Sequence, residues 1–344
     1  MAELTGGDLD ALLVGLTLLG SGGGGDPGLF ATTLRRALTD APVTLHHPAE
    51  LGDAPVVAVG MLGGTSMLAE KLPSGQEIFG AVRALARWTG VSPEAVMPYE
   101  GAALNGALAV AAAVTLGLPL VDADLMGRAL PRADHTTRAV AGGSLTPFAM
   151  TEPVGRTVLF DHTDPVALER AVRAFVAQGG GWAGCAFAPA PASQVCDDAC
   201  LGSLARAVAL GRAHAATPPA GIAAALGGRV LAGGRVVEIA RRASLTFGRA
   251  GIAILDDTGP VLRLEAENEY LLALVDGLPV ASCPDLLCVL DRRTAAPIAV
   301  DGLRVGDDVT VVVLPGPPWW RAVPERLEHV GPRAFGLDCD PVLM

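Results

Sequence analysis

No cluster of lysine and arginine occurs anywhere along the 344 residues, and the formal net charge is −11. A nucleic-acid partner needs a basic face to neutralise phosphates, so that class is excluded, while small or cationic ligands remain open. Basic residues are also missing from the start, Met1-Ala2-Glu3, where a secretory leader carries them, and the apolar stretch 11–19 is short and runs into glycines. We therefore expect no signal peptide and a cytoplasmic location. An unbroken membrane-length segment is lacking too: the longest apolar tract, Leu104 to Val121, contains Gly106, Gly117 and Pro119 and divides into a helix and a strand. No membrane partner is expected. Neither the dinucleotide fingerprint nor the phosphate loop with its lysine is present, so no nucleotide cofactor is expected. There is no repeat of solenoid period. The six cysteines lack a secretory context and read as free thiols. Cys196 and Cys200, four apart, would bind zinc only if two further ligands arrived from elsewhere.

What is present begins with Ser21-Gly22-Gly23-Gly24-Gly25-Asp26-Pro27, set between two segments of helical pattern. Glycine admits positive φ and close approach of other atoms, at about 0.5–1 kcal/mol of extra ordering entropy per residue relative to alanine. Two readings hold: a helix C-cap entering a turn, or a cradle whose free N–H groups, continuing into the helix begun by Asp26 and Pro27, bind a polar ligand.

With 51% hydrophobic residues the chain can fill two cores. Its first half alternates helical and strand patterns: helices at 9–19, 29–38, 77–88 and 105–116, strands at 56–61, 95–98 and 118–121. That order predicts an N-terminal layered α/β domain on a largely parallel sheet, residues 1–160. Ligands of such sheets gather beyond the carboxyl ends of strands, and three loops qualify: Gly63-Gly64-Thr65-Ser66, Glu100-Gly101-Ala102-Ala103 and Asp122-Ala123-Asp124. Residues 161–344 open with helices at 165–178 and 201–214 around a strand at 182–188. Short β-branched strands then follow at 229–231, 236–243, 250–255, 261–266, 270–274, 286–289 and 309–314. This half reads as a β-rich α+β domain.

Four groups could carry chemistry. Asp122 and Asp124 lie on one side of an extended chain and can hold a metal or divide acid and base roles; the same pair also reads as a helix cap plus a solvated acid. His135 adds a group that titrates near neutral pH or binds metal. Glu100, among small residues ahead of Asn105, is a carboxyl whose pKa desolvation raises, as a general acid or base requires; it also reads as a cap. Cys283 precedes a proline and is a candidate nucleophile without a local histidine. Lys71, in a turn, could orient a carboxylate or imide oxygen, or simply lie on the surface.

Six motifs occur in order: Gly-Gly-Gly-Gly-Asp-Pro (22–27), Glu-Lys-Leu-Pro-Ser-Gly (70–75), Asp-Ala-Asp-x-Met-Gly-Arg-Ala (122–129), Glu-Asn-Glu (267–269), Pro-Asp-Leu (284–286) and Gly-Pro-Arg-Ala-Phe-Gly (331–336). Over nearly the whole chain this series resembles the S-methyl-thiohydantoin desulfurase family, with departures at His135, where that pattern has an apolar residue, and at Cys283. The resemblance implies a hydrolase that adds water to C2 of a cyclic S-methyl isothiourea and releases methanethiol and a hydantoin, within sulfur metabolism and ergothioneine catabolism. It implies water activation by Glu100 or Asp124 with His135, and binding of the small-molecule substrate by Gly23, Gly24, Gly25, Asp26, Lys71 and Asn105. Zinc held by Asp122, Asp124 and His135 is the expected metal if one is used, and Cys283 as covalent nucleophile is the rival mechanism. Two other functions remain open: a hydrolase of hydantoins or related cyclic amides, or a non-catalytic ligand-binding subunit. The alanine-rich segments and Trp319-Trp320 further suggest a homo-oligomer.

Overall fold

Leu9, Leu12, Leu16 and Leu19 recur at helical spacing, and in the computed structural model they are fully buried on one face of the helix Leu9–Leu19. The structure describes residues 2–64, 67–242 and 248–344. Thr65 and Ser66 of the first expected loop, and Ala243 at the end of an expected strand, lie outside the described residues.

The apolar runs Val56–Met61 and Ala95–Pro98 cannot alternate polar and apolar faces, so they must be covered on both sides. They become Pro55–Gly63 and Ala95–Pro98, which pair in parallel and join Leu120–Val121 and Val43–His46, also parallel, into the centre of the first sheet. Antiparallel partners extend it on both flanks: Ala2–Leu4 on one side, then Trp182–Phe187, Phe148–Thr151 and Thr157–Phe160 on the other. Helices Glu77–Thr89 and Ala103–Leu116 connect the parallel strands, each ended by a glycine in the left-handed region, Gly90 and Gly117. The second sheet has eight strands, all antiparallel, in the order Leu278–Ser282, Glu269–Val275, Val261–Glu267, Arg249–Asp256, Arg229–Arg242, Asp308–Leu314, Leu286–Asp291, Pro297–Ile298. The fold is thus the expected mixed α/β architecture with an antiparallel β-rich C-terminal part.

The strands Ala2–Leu4, Val43–His46, Phe148–Thr151, Leu278–Ser282 and Pro297–Ile298 were not in the sequence pattern, and Trp182–Phe187 returns to the first sheet across a helix, a pairing set by packing rather than by local order. Trp320 is fully buried and donates its indole N–H to the Met126 carbonyl at 2.8 Å, while Trp319 donates to Asp197 O and stacks under Arg326. The tryptophan pair therefore packs within the chain. No helix among the described residues is long and apolar enough to cross a membrane.

The helix Leu9–Leu19 crosses Ser203–Ala215 at two glycines: a Cβ on Gly15 would overlap the backbone of Ala207, and one on Gly211 the backbone of Ala11. Backbone cannot yield as a flexible side chain can. Gly15→Ala and Gly211→Ala should each lower stability by about 3 kcal/mol, read as a drop in the urea midpoint at unchanged slope.

Candidate active site

The glycine run ends the first helix. Gly20 caps it, Ser21 turns the chain with φ +48°, and Gly22, Gly24 and Gly25 also take positive φ. Each of the next three residues is pressed by a different neighbour. A Cβ on Gly22 would overlap the Tyr270 ring, one on Gly23 would overlap Glu269 Oε1, and one on Gly24 would stand 3.1 Å from Glu100 Oε1 and 2.7 Å from Ala103 Cβ. Two carboxyl groups, from strand ends of the two sheets, therefore meet consecutive glycines. Among the described residues the N–H groups of Gly24 and Gly25 have no acceptor. Of the five non-glycine residues with positive φ among the described residues, Ser21, Ala103 and Asn268 stand within one residue of these contacts. Such strain concentrates where a local arrangement is over-determined by its surroundings.

Glu100 follows the strand Ala95–Pro98 and is buried. Burial, and after it the negative charge of Glu269, hold its pKa well above the ordinary carboxylate value, against hydrogen bonds from Asn105 and the Leu130 N–H. Asn105 fixes it: Oδ1 accepts Met61 N–H at 2.7 Å, and Nδ2 donates to Glu100 Oε1 at 3.4 Å and lies 3.2 Å from the Tyr99 hydroxyl. Glu269 opens the strand Glu269–Val275 and is equally buried, with Oε2 lacking a hydrogen-bond partner among the described residues. Burial pushes its pKa from the ordinary 4.5 up to about 8, with Arg128 pulling the other way. Arg128 is fully buried and spends its N–H groups on the carbonyls of Ala129, Asp285 and Tyr270 at 3.0, 2.6 and 3.2 Å. Its charge therefore acts on Glu269 through space. The arrangement provides two buried carboxyls of raised proton affinity beside free N–H donors.

The other expected residues divide. Asp26 caps the turn Pro27–Phe30 by accepting Gly28 N–H at 2.7 Å and is exposed, so it shapes the loop. Asp122 and Asp124 are structural. Asp122 accepts the N–H groups of Leu204 and Ala205 at the start of the helix Ser203–Ala215, and Asp124 accepts those of Met126 and Gly127 and the Ser203 hydroxyl. His135 is buried with its ring edge-on to Phe335 and Nε2 against Arg132; burial, then Arg132 and His329, hold its pKa well below the usual value. Asp122, Asp124 and His135 do not fit a zinc centre: the aspartate oxygens are taken by main-chain N–H groups and the Ser203 hydroxyl, and among the described residues no three ligating side chains converge. Lys71, the chain's one lysine, is exposed, with its ammonium against Gly180. Cys283 is buried near Glu269 and Arg128, and burial raises its thiol to about 11, so at neutral pH it is not the thiolate a nucleophile requires. Glu269 and Arg128 carry the site without having been singled out beforehand. Both stand in the ordered motifs, at 267–269 and 122–129, and that was their one signal.

Family models match the chain end to end: S-Me-THD-like, N-terminal domain, over residues 7–162, and S-Me-THD-like, C-terminal domain, over residues 163–343. A crystal structure of a protein from Chromobacterium violaceum is similar with a TM-score of 0.82 over 99% of this chain and 100% of that one, at 24% identity, which speaks for the fold alone. No curated protein matches the chain.

Because Asp124 holds two buried N–H groups and a hydroxyl, Asp124→Ala should cost about 3 kcal/mol or more of stability, measured by denaturant unfolding. A loss of activity with full stability would contradict this structural role.

Proposed function

The chain belongs to the S-Me-THD-like family, and from that premise we propose that it is a hydrolase that releases methanethiol from an S-methyl thiohydantoin, with Glu269 as general base and Glu100 as general acid. The observation that carries this reading is the pair of buried carboxyls set against Gly23 and Gly24, one with pKa about 8 and the other held well above its ordinary value. Two like groups whose surroundings push their proton affinities apart are suited to divide the acid and base roles.

Ionised Glu269 takes a proton from water as the water oxygen bonds to C2. The electrons of the C2=N bond move to nitrogen, which takes the proton of Glu100. In the tetrahedral adduct the C2–S bond then breaks, sulfur leaves with its electron pair and the proton held by Glu269, and the C2 hydroxyl returns its proton to Glu100 as it becomes the carbonyl. Hydantoin and methanethiol are the products, and both carboxyls are back in their starting states. The free N–H groups of Gly24 and Gly25 suit the ring carbonyl. Asn105 is a positioning residue that holds the Glu100 carboxyl in place. Arg128 lowers the proton affinity of Glu269.

Thiol release from a synthetic S-methyl thiohydantoin tests the reading. Glu269→Gln and Glu100→Gln should each lower kcat by about 10²–10⁴-fold; ring opening of a hydantoin without thiol release would overturn it. The pH dependence has a definite sign. Because Glu269 must be ionised and Glu100 protonated, kcat/KM should rise toward about pH 8 and fall again where Glu100 loses its proton.

Stability moves the other way. The folded pKa is raised, so this group's contribution is full below its ordinary 4.5 and is lost as pH climbs to about 8. Glu269→Gln should therefore gain thermal stability over wild type across that window, by an amount that grows with pH in a melting series.

A further inference from the structure

One face of the second sheet carries a row of charged side chains. Arg242 stands opposite Arg249, Arg249 opposite Glu267, and Glu267 opposite Glu269, across the strands Arg229–Arg242, Arg249–Asp256, Val261–Glu267 and Glu269–Val275. Directly opposed residues share a face, with neighbouring strands about 4.8 Å apart, and opposed charges of like sign are unfavourable. Glu267 relieves Arg249, accepting its Nε–H at 2.7 Å. Arg242 has no ion-pair or hydrogen-bond partner among the described residues. The row thus begins with two guanidinium groups that a single carboxylate serves.

A cavity of about 260 Å³ opens over the first three members of the row. Its floor is apolar: Leu271 and Phe335 are buried, and Leu337 flanks them. A second ion pair, Arg263 with Glu265, also lines it, and the Arg263 guanidinium lies across Gly251, where a Cβ would stand 2.7 Å from Nη2. Three guanidinium groups therefore face the cavity against two carboxylates, in a chain whose net charge is −11. Glu100, Glu269 and the glycine run do not line it, and in the row Glu267 stands between the cavity and Glu269.

We propose that this cavity is a second binding site, for one small organic anion with an apolar body. A carboxylate set between Arg242 and Arg249 turns an unfavourable pair into charge-assisted hydrogen bonds, and each guanidinium presents the planar fork that a carboxylate fits. The body of the ligand gains by leaving water against Leu271 and Phe335. Glu265 and Glu267 on the same walls repel a second carboxylate, so the site suits a monoanion. Nothing in this site depends on the hydrolytic reading above.

Calorimetric titration of the full-length protein with benzoate tests the site at about pH 6.5. There Glu269, with its pKa of about 8, is largely protonated, and Glu269→Gln leaves the charge unchanged. Benzoate should saturate at one per chain, with benzamide and acetate each weaker by about tenfold or more, the first lacking the charge and the second the ring. Arg242→Gln should weaken benzoate about tenfold and Arg242→Lys less, while Glu269→Gln binds it as wild type does. Arg242 is exposed, so both of its variants should fold; should one fail, the comparison of benzoate with benzamide in wild type decides. No saturable benzoate binding, equal binding of benzamide, or wild-type affinity in Arg242→Gln overturns the proposal. Loss of binding in Glu269→Gln overturns it too, by placing benzoate at the carboxyl pair.

Discussion

Between residues 20 and 24 the main chain is the seam along which the two sheets meet, and at Gly22, Gly23 and Gly24 there is no room for a side chain. Ser21 O accepts Tyr270 N–H at 2.8 Å, Gly22 O accepts Val300 N–H at 2.9 Å, and Gly24 O accepts Leu104 N–H at 3.2 Å. The Ser21 hydroxyl donates to Leu287 O and accepts Leu287 N–H. Five hydrogen bonds thus fasten one short loop to strands far along the chain on one side and to a first-sheet helix on the other. They form only if Tyr270, Glu269 and Glu100 can approach to contact, which glycine at 22, 23 and 24 permits. The entropy of ordering four consecutive glycines is offset by this many-sided closure, and the carboxyl pair is its by-product in space.

Burying two carboxyls side by side is tolerable because neither must be charged when the chain folds. Isolated buried charges are costly, and a carboxyl in such surroundings keeps its proton instead. Arg128 acts on Glu269 from a distance. Its donors are satisfied by carbonyls, so it neutralises no single partner at contact, yet it lowers the proton affinity of Glu269. Glu100 meanwhile feels the charge of Glu269 as a further reason to stay protonated. In the proposed mechanism the two raised carboxyls then serve as base and acid.

The sequence was legible where the cause was local. The glycine run, the turn begun by Asp26 and Pro27, the helix Leu9–Leu19 and the strand ahead of Glu100 all declare themselves within a few residues. Asp122 and Asp124 resembled a site for the same local reason, two acids at a strand end. Asp124 does cap the local turn at Met126 and Gly127, but its third donor, Ser203, and the Asp122 donors Leu204 and Ala205 stand about eighty residues on, at a helix start that packs back against them. Glu269 was illegible for the mirror-image reason. In Glu267-Asn268-Glu269 the first acid pairs with Arg249 and the last points at Gly23 without a partner, and no periodicity distinguishes them. Burial of a polar residue is decided by tertiary packing, so long-range contacts were needed to separate a capping acid from a reactive one.

The division of the site between the two sheets has a consequence for how water is handled. Glu100 arrives with the first sheet and Glu269 with the hairpin of the second, and both are buried where they meet the glycine run. Neither carboxyl could hold its raised proton affinity on an isolated sheet, because solvent would supply the hydrogen bonds that Glu269 Oε2 now lacks. The unpartnered oxygen and the free N–H groups of the glycine run are thus kept open by the same closure that joins the sheets. A polar ring entering there finds donors and acceptors whose desolvation has already been met by folding, so binding need not supply it again.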